Sequence, residues 1–182
     1  IAESQMLEET KDIVFANIDF LPLKSYTNIV EGNALTIDWE TVVPRDRLSY
    51  IIGNPPFVGI RHSKENHLSQ LKTVLEDIPK SGGLDYVTAW YVKATNLMLT
   101  NPKVRTAFVS TNSIVQGEQA VTLWHYLIET KGIVINFAYR TFRWNSEAKN
   151  KAAVHCVIIG FSLAKDLECY LFDEGMKTIC QN

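Results

Sequence analysis

Pro55 and Pro56 stand side by side directly behind a short apolar run, and nothing else in the 182-residue chain restricts the backbone as much. Tyr50, Ile51 and Ile52 have the aromatic and β-branched composition of a buried strand. Gly53 ends that run and, lacking a Cβ, lets the chain turn. The two prolines then fix two consecutive φ angles and remove two N–H donors, and each pushes the residue before it out of the helical region. Ser49 to Phe57 thus predicts a strand with a stiff, extended exit whose carbonyls no neighbouring N–H is obliged to fill. Asn54 adds a side-chain oxygen and amide, and Phe57 adds a flat apolar ring. Two acceptors and a stacking surface suit gripping a planar molecule by an exocyclic amino group. The plain alternative is a rigid loop with a core-anchoring Phe. Against it, Asn-Pro-Pro-aromatic arises by composition in on the order of one chain in several hundred of this length.

The rest of the chain supplies alternating helices and strands. Ile1 to about Ala16 reads as a helix, with Met6, Leu7, Ile13 and Val14 on one side, and Asp19 to Tyr26 as connection. Asn28 to Val30 reads as a short strand ending in Glu31-Gly32-Asn33. Ser63 is placed to cap an amphipathic helix running to Ile78, broken by Pro79 to Gly83. Leu84 to Leu99 predicts a second, mostly apolar helix stopped by Asn101-Pro102. Val104 to Ser110 is a strand. Glu118 to Lys131 is a helix ended by Gly132. Ile133 to Phe142 and Ala153 to Phe161 are long apolar strands, and Leu167 to Phe172 adds a short one at an edge. About ten residues join the two long strands, too few for a parallel crossover, so that pair is antiparallel. The sum is an α/β domain on a mainly parallel sheet.

Composition narrows the function by exclusion. Net charge is −2, with 46% hydrophobic and 21% charged residues, so no global basic signature demands nucleic acid. Cys156, Cys169 and Cys180 show no metal-ligand spacing, nor do His62, His67, His125 and His155, and His155 lies in an apolar strand that predicts a core position. Two Glu-x-Lys runs, at Glu129 and Glu147, fit half of a nuclease site, and their doubling in an ordinary charged chain shows how weak that pattern is. No metal, no membrane span and a reducing cytoplasm are expected.

Asn54-Pro55-Pro56-Phe57 resembles the catalytic Asn-Pro-Pro-Tyr/Phe motif of S-adenosylmethionine-dependent amino-methyltransferases, above all the N6-adenine DNA methyltransferases. Gly32 to Leu35 with Asp38-Trp39, Gly53 to Gly59, Leu84 to Tyr86 with Ala89 to Tyr91, and Phe137 to Phe161 are similar to the MmeI-like restriction-modification enzymes. The resemblance implies a Rossmann-like class I methyltransferase sheet with one antiparallel strand near its end. It also implies that residues 1–182 are part of a catalytic domain that is incomplete at its N-terminus. No Gly-x-Gly occurs in the chain; in the family that cofactor-cradling loop precedes the point corresponding to Ile1. The fragment alone is therefore expected to bind cofactor poorly and to be inactive.

The resemblance also distributes roles. Asn54 and the Pro55 carbonyl accept from the target amino group, within a motif completed by Pro56, and Phe57 stacks on a flipped-out adenine. Asn33 contacts the cofactor, with a turn residue as the alternative. Asp85 and Tyr86 lie beside cofactor and active site, the alternative being a helix-start acid and a core Tyr. Phe142 or Trp144 closes the other side of the base. Arg140, Arg143, Lys149 and Lys151, interleaved with those aromatics, suit a DNA backbone and an unstacked base. Methylation of RNA or of a protein glutamine amide stays open, as does a non-catalytic nucleic-acid-binding module.

Overall fold

The computed structural model describes residues 28–144, 154–165, 168–173 and 176–180. The predicted N-terminal helix and its connection lie outside them, as do Lys149 and Lys151.

Strands β1 (Tyr50–Gly53), β2 (Arg105–Thr111), β3 (Val134–Trp144), β4 (Val154–Ser162), β5 (Cys169–Asp173) and β6 (Met176–Cys180) form one sheet. Their spatial order is β1-β2-β4-β3-β5-β6. β1 runs parallel to β2 and β3 parallel to β5. β4 is antiparallel to both of its neighbours, and β6 is antiparallel to β5. The predicted antiparallel pairing of the two long strands holds, with Trp144 opposite Val154. β5 is an interior strand rather than an edge, because β6 covers its outer side; β6 is a second reversed strand with no clear signal in the sequence.

Among the described residues three α-helices accompany the sheet: α1 (Glu65–Val74), α2 (Thr88–Thr100) and α3 (Gly117–Trp124). α1 starts two residues after Ser63, which does not cap it. The Ser63 hydroxyl donates instead to the Gly59 carbonyl, and the Lys64 N–H donates to His67 Nδ1 at 3.3 Å. Beyond Val74 the chain turns, yet Leu75 and Ile78 stay buried. α2 begins later than its apolar pattern suggests, because the backbone at Asp85 is committed to other partners. α3 widens into a π-helical turn over His125–Thr130 before Gly132, at φ +73°, ends it.

The core is centred on α2. Tyr91 is fully buried; its ring stacks on Phe161 and meets Phe108 and Trp124 edge-on, at centroid distances of 5.2–5.7 Å. Its hydroxyl and that of Ser110 lie 2.8 Å apart, so one residue joins α2 to β2, β4 and α3 with no polar atom left over. Each large side chain buried this way contributes about 1.5–3 kcal/mol.

Three expectations need correction. Asn28 to Val30 is not a strand, and Ile29 and Val30 are exposed; no strand pairs with the outer edge of β1 among the described residues. β1 is only half-buried, its alternation leaving Tyr50 and Ile52 exposed on one face and packing Ile51 on the core from the other. His155 is exposed, because strand alternation sets it opposite the buried Cys156.

Candidate active site

β1 delivers the chain to the carboxyl end of the sheet, where ligands of open α/β sheets bind. Gly53 is still in register, opposite Phe108, and a Cβ there would sit 3.2 Å from that ring. The next residues leave the ladder. Pro55 is buried and anchors the exit, while Asn54 and Pro56 are exposed. The Asn54 side chain makes no hydrogen bond with any described residue. Its amide therefore stands at the rim of the sheet with its polar atoms unspent among the described residues.

Asn54, Pro55 and Pro56 line one side of a cavity of about 450 Å³. Gly32, Asn33 and Ala34 form a second side, and the rings of His67, Tyr86 and Trp90 a third. Those rings form one aromatic wall: His67 lies 4.6 Å from Tyr86, and Trp90 meets Tyr86 edge-on at 5.1 Å. The Tyr86 hydroxyl donates to Gln70 Oε1, which ties the wall to α1. Asn33 is both of the things its sequence allowed. Its Oδ1 accepts the Leu35 N–H at 2.9 Å and closes a turn, yet the residue lines the cavity.

Asp85 does not line that cavity. Its carboxylate accepts from the Ile60 N–H at 2.8 Å, the Ser113 hydroxyl at 2.6 Å and Gln119 Nε2 at 3.1 Å, and its own N–H donates to Gln119 Oε1. Val58 is joined next door, its carbonyl accepting the Tyr86 N–H at 3.1 Å. The loop that leaves Pro56 is therefore fastened to the start of α2 at two successive points. Ser110, near the carboxyl end of β2, is spent in the core on Tyr91.

A larger apolar cleft of about 500 Å³ lies between Ile128, Ile133, Val134, Ile135, Lys165 and Cys169. It sits at the amino ends of β3 and β5, the wrong end of the sheet for ligand binding, and presents few polar groups. Among the described residues no group of three or more His, Cys, Asp or Glu is placed to hold a metal, and no helix is long and apolar enough to cross a membrane.

Residues 1–173 match the family described as "MmeI, DNA-methyltransferase domain". The chain belongs to that family. It is 41% identical over 187 residues to DNA methyltransferase A of Bacillus subtilis (strain 168), covering all of this chain and 21% of that protein. It superposes on the structure of the type IIL restriction-modification enzyme MmeI in complex with DNA with a TM-score of 0.79 and 42% identity. That match covers 98% of this chain and 24% of MmeI, so the chain spans roughly a fifth to a quarter of these relatives.

The methyltransferase-domain residues expected to meet the target are spread more widely. Phe57 is half-buried and makes no ring contact with a described residue. Phe142 and Trp144 belong to β3 rather than to a loop, since that strand runs on past Phe142. Two residues apart, they share a strand face, with centroids 6.1 Å apart, and Trp144 is exposed. Register sets Phe142 level with Cys156 and Thr111, at the same end of the sheet as Asn54. Three strand spacings, about 14 Å, separate β3 from β1. Arg143 is exposed opposite His155, and Arg140 forms an exposed ion pair with Asp173 at 3.1 Å. His67 and Trp90 were not singled out by sequence. Trp90, four residues after Tyr86 in a helical stretch, could have been; His67 reaches the wall only through the packing of α1 on α2.

Proposed function

We propose that this domain is catalytic in an N6-adenine DNA methyltransferase of a restriction-modification system, acting on a flipped-out adenine in double-stranded DNA. The observation that carries the reading is the Asn54 amide, exposed and without a partner among the described residues, beside the buried Pro55 on the rim of an aromatic-walled cavity. The family membership and the DNA named with the MmeI structure support it.

S-adenosylmethionine, when bound, supplies the methyl group. The cavity fits such a molecule: flat rings for a purine at His67, Tyr86 and Trp90, and at Asn33 an amide nitrogen left over by the turn that uses Oδ1. Asn54 Oδ1 and the Pro55 carbonyl accept the two hydrogens of the target amino group. Holding them draws the nitrogen lone pair out of conjugation with the ring and stabilises the positive charge that grows on nitrogen during attack. Pro55 supplies an oxygen without an N–H that would repel the amino group. Phe57 stacks on the base, and Phe142 or Trp144 encloses it, since a base inside a duplex is out of reach until flipped. Arg140, Arg143, Lys149 and Lys151 meet the DNA backbone. Asp85 serves the site through the loop it fastens. The free thiols of Cys156, Cys169 and Cys180 suit the cytoplasm in which such an enzyme works.

The test is methylation of DNA by the full-length protein, followed by digestion to nucleosides and mass spectrometry. N6-methyladenine is the expected product. Methyl groups found only on cytosine N4, on RNA or on protein would overturn the assignment.

A further inference from the structure

The Gly32–Trp39 corner of the cavity contains no strand or α-helix to occupy its carbonyls, and one side chain from outside occupies three of them. Lys93, on α2, donates from Nζ to the carbonyl oxygens of Ala34 at 2.8 Å, Leu35 at 2.9 Å and Ile37 at 2.5 Å. An ammonium has three donors, and all are spent on one short loop. Nζ also stands 5.1 Å from the centre of the Trp39 ring, whose Nε1 donates to the Ala34 carbonyl at 2.7 Å. Leu35 is pressed into the core. Gly32, at φ +156°, passes so close to Ile37 that a Cβ would lie 2.5 Å from its Cδ1. Burial draws the Lys93 pKa down, with Asp38 acting in the opposite sense; this ammonium has traded water for carbonyls.

The position of Lys93 in the chain gives the contact its meaning. It follows Trp90 by three residues, so the segment from Tyr86 to Lys93 presents the aromatic wall of the cavity and also grips the loop opposite that wall. Asn33 lies at the start of the gripped loop. Its carbonyl accepts from the N–H groups of Thr36 and Ile37, both at 3.0 Å, and Ile37 is itself held by Lys93. Wall and corner are thus tied to each other through one side chain.

We propose that Lys93 is the positioning residue of the cofactor pocket: by binding three carbonyls of the Gly32–Trp39 loop it sets Asn33 at a fixed distance from Tyr86 and Trp90. The proposal rests on reading the cavity as the S-adenosylmethionine site. Lys93 touches neither cofactor nor DNA in this scheme, and its effect is preorganisation, a loop already ordered when the ligand arrives. The side-chain type is specific. A compact ammonium reaches three convergent oxygens, whereas the planar guanidinium of arginine does not. A role confined to charge near Trp39 and Asp38 would be met by either.

The experiment uses the full-length protein and reads calorimetric affinity for S-adenosylmethionine, single-turnover methylation at saturating cofactor, and melting temperature. Lys93→Met should weaken binding about tenfold or more, the scale of a lost charged hydrogen bond, while the single-turnover rate stays within a few-fold. Lys93→Arg should not restore affinity; propylammonium added to Lys93→Ala should restore part of it. Trp39→Phe removes the indole bond to Ala34 and trims the ring that Lys93 faces, and should weaken binding by a few-fold, so the idea remains open to refutation should the Lys93 variants fail to fold. Wild-type affinity in a folded Lys93→Met protein, or full affinity in Lys93→Arg, would overturn the proposal. Wild-type protein that binds no S-adenosylmethionine would instead overturn the reading of the cavity.

Discussion

The Asp85 carboxylate accepts the backbone N–H of Ile60 across twenty-five residues of sequence, at 2.8 Å. Ile60 opens the turn that follows the Asn-Pro-Pro-Phe exit, so this bond decides where that exit can go. The other carboxylate oxygen holds Ser113, just beyond β2, and Gln119 on α3. One side chain therefore fixes the loop after Phe57 against the ends of two other segments. Asp85→Asn keeps the size but removes the charge and puts an amide N–H where one of those donors now points. We expect a loss of about 1.5–3 kcal/mol, the usual worth of hydrogen bonds to a charged group, and slower methyl transfer from a loosened loop. Urea denaturation and single-turnover methylation measure the two effects. An unchanged midpoint with an unchanged rate would show that the loop needs no such anchor.

Phe57 tests the aromatic grip. It is half-buried and makes no ring contact with a described residue, so truncation removes little from the fold. In the full-length protein Phe57→Ala should cost about 1–3 kcal/mol of hold on the flipped base, the worth of one base–aromatic stack. Cofactor affinity should barely move. Competition binding with DNA carrying an abasic site at the target position separates the cases, because the mutant should lose its preference for the base. A preference equal to wild type would remove Phe57 from the clamp.

Gly160 tests the sheet. It faces Phe137 across β4 and β3, and a Cβ built on it would overlap the Phe137 ring. The ring is flanked by Phe172, 6.4 Å away edge-on, and cannot swing clear freely. Gly160→Ala should destabilise the domain by about 1–3 kcal/mol through overpacking, and Phe137→Leu in the same chain should recover part of that. Thermal melting of the single and double variants suffices. A single variant as stable as wild type would mean that the ring relocates at no cost.

Legibility in the sequence follows the range of the interactions involved. The strand before Asn54, the helix stop at Gly132 and the antiparallel return of β4 depend on neighbouring residues or on loop length, and each could be read. The extent of β1 burial could not, because Tyr50 and Ile52 look the same whether or not anything covers them. β6 was missed for a similar reason: Met176 to Cys180 is half polar and gains its strand form from pairing with β5. At the cavity, Asn54 and Pro55 stand out in the sequence because the chemistry proposed for them is local. Lys93 and His67 do not, since they meet the cavity and its loop only once α2 and α1 are packed.

Asn54→Ala separates chemistry from scaffolding. Its side chain holds no described part of the fold, and the residue is exposed, so truncation should change the melting temperature little. A turn-forming residue would behave in the opposite way, destabilising the fold while leaving a working site. If the Asn54 oxygen accepts from the adenine amino group, its hydrogen bond strengthens as positive charge develops on that nitrogen. Removing it should then act on the chemical step, and one preorganised transition-state group is typically worth about 10²–10³ in turnover. Cofactor and DNA binding should survive, because neither the aromatic wall nor the basic residues proposed to meet the DNA backbone involve that oxygen. Single-turnover methylation by the full-length protein, with DNA affinity and melting temperature taken on the same preparation, decides between the two. A variant that melts earlier yet methylates within a few-fold of wild type would return Asn54 to a turn and remove the acceptor role on which the catalytic reading depends.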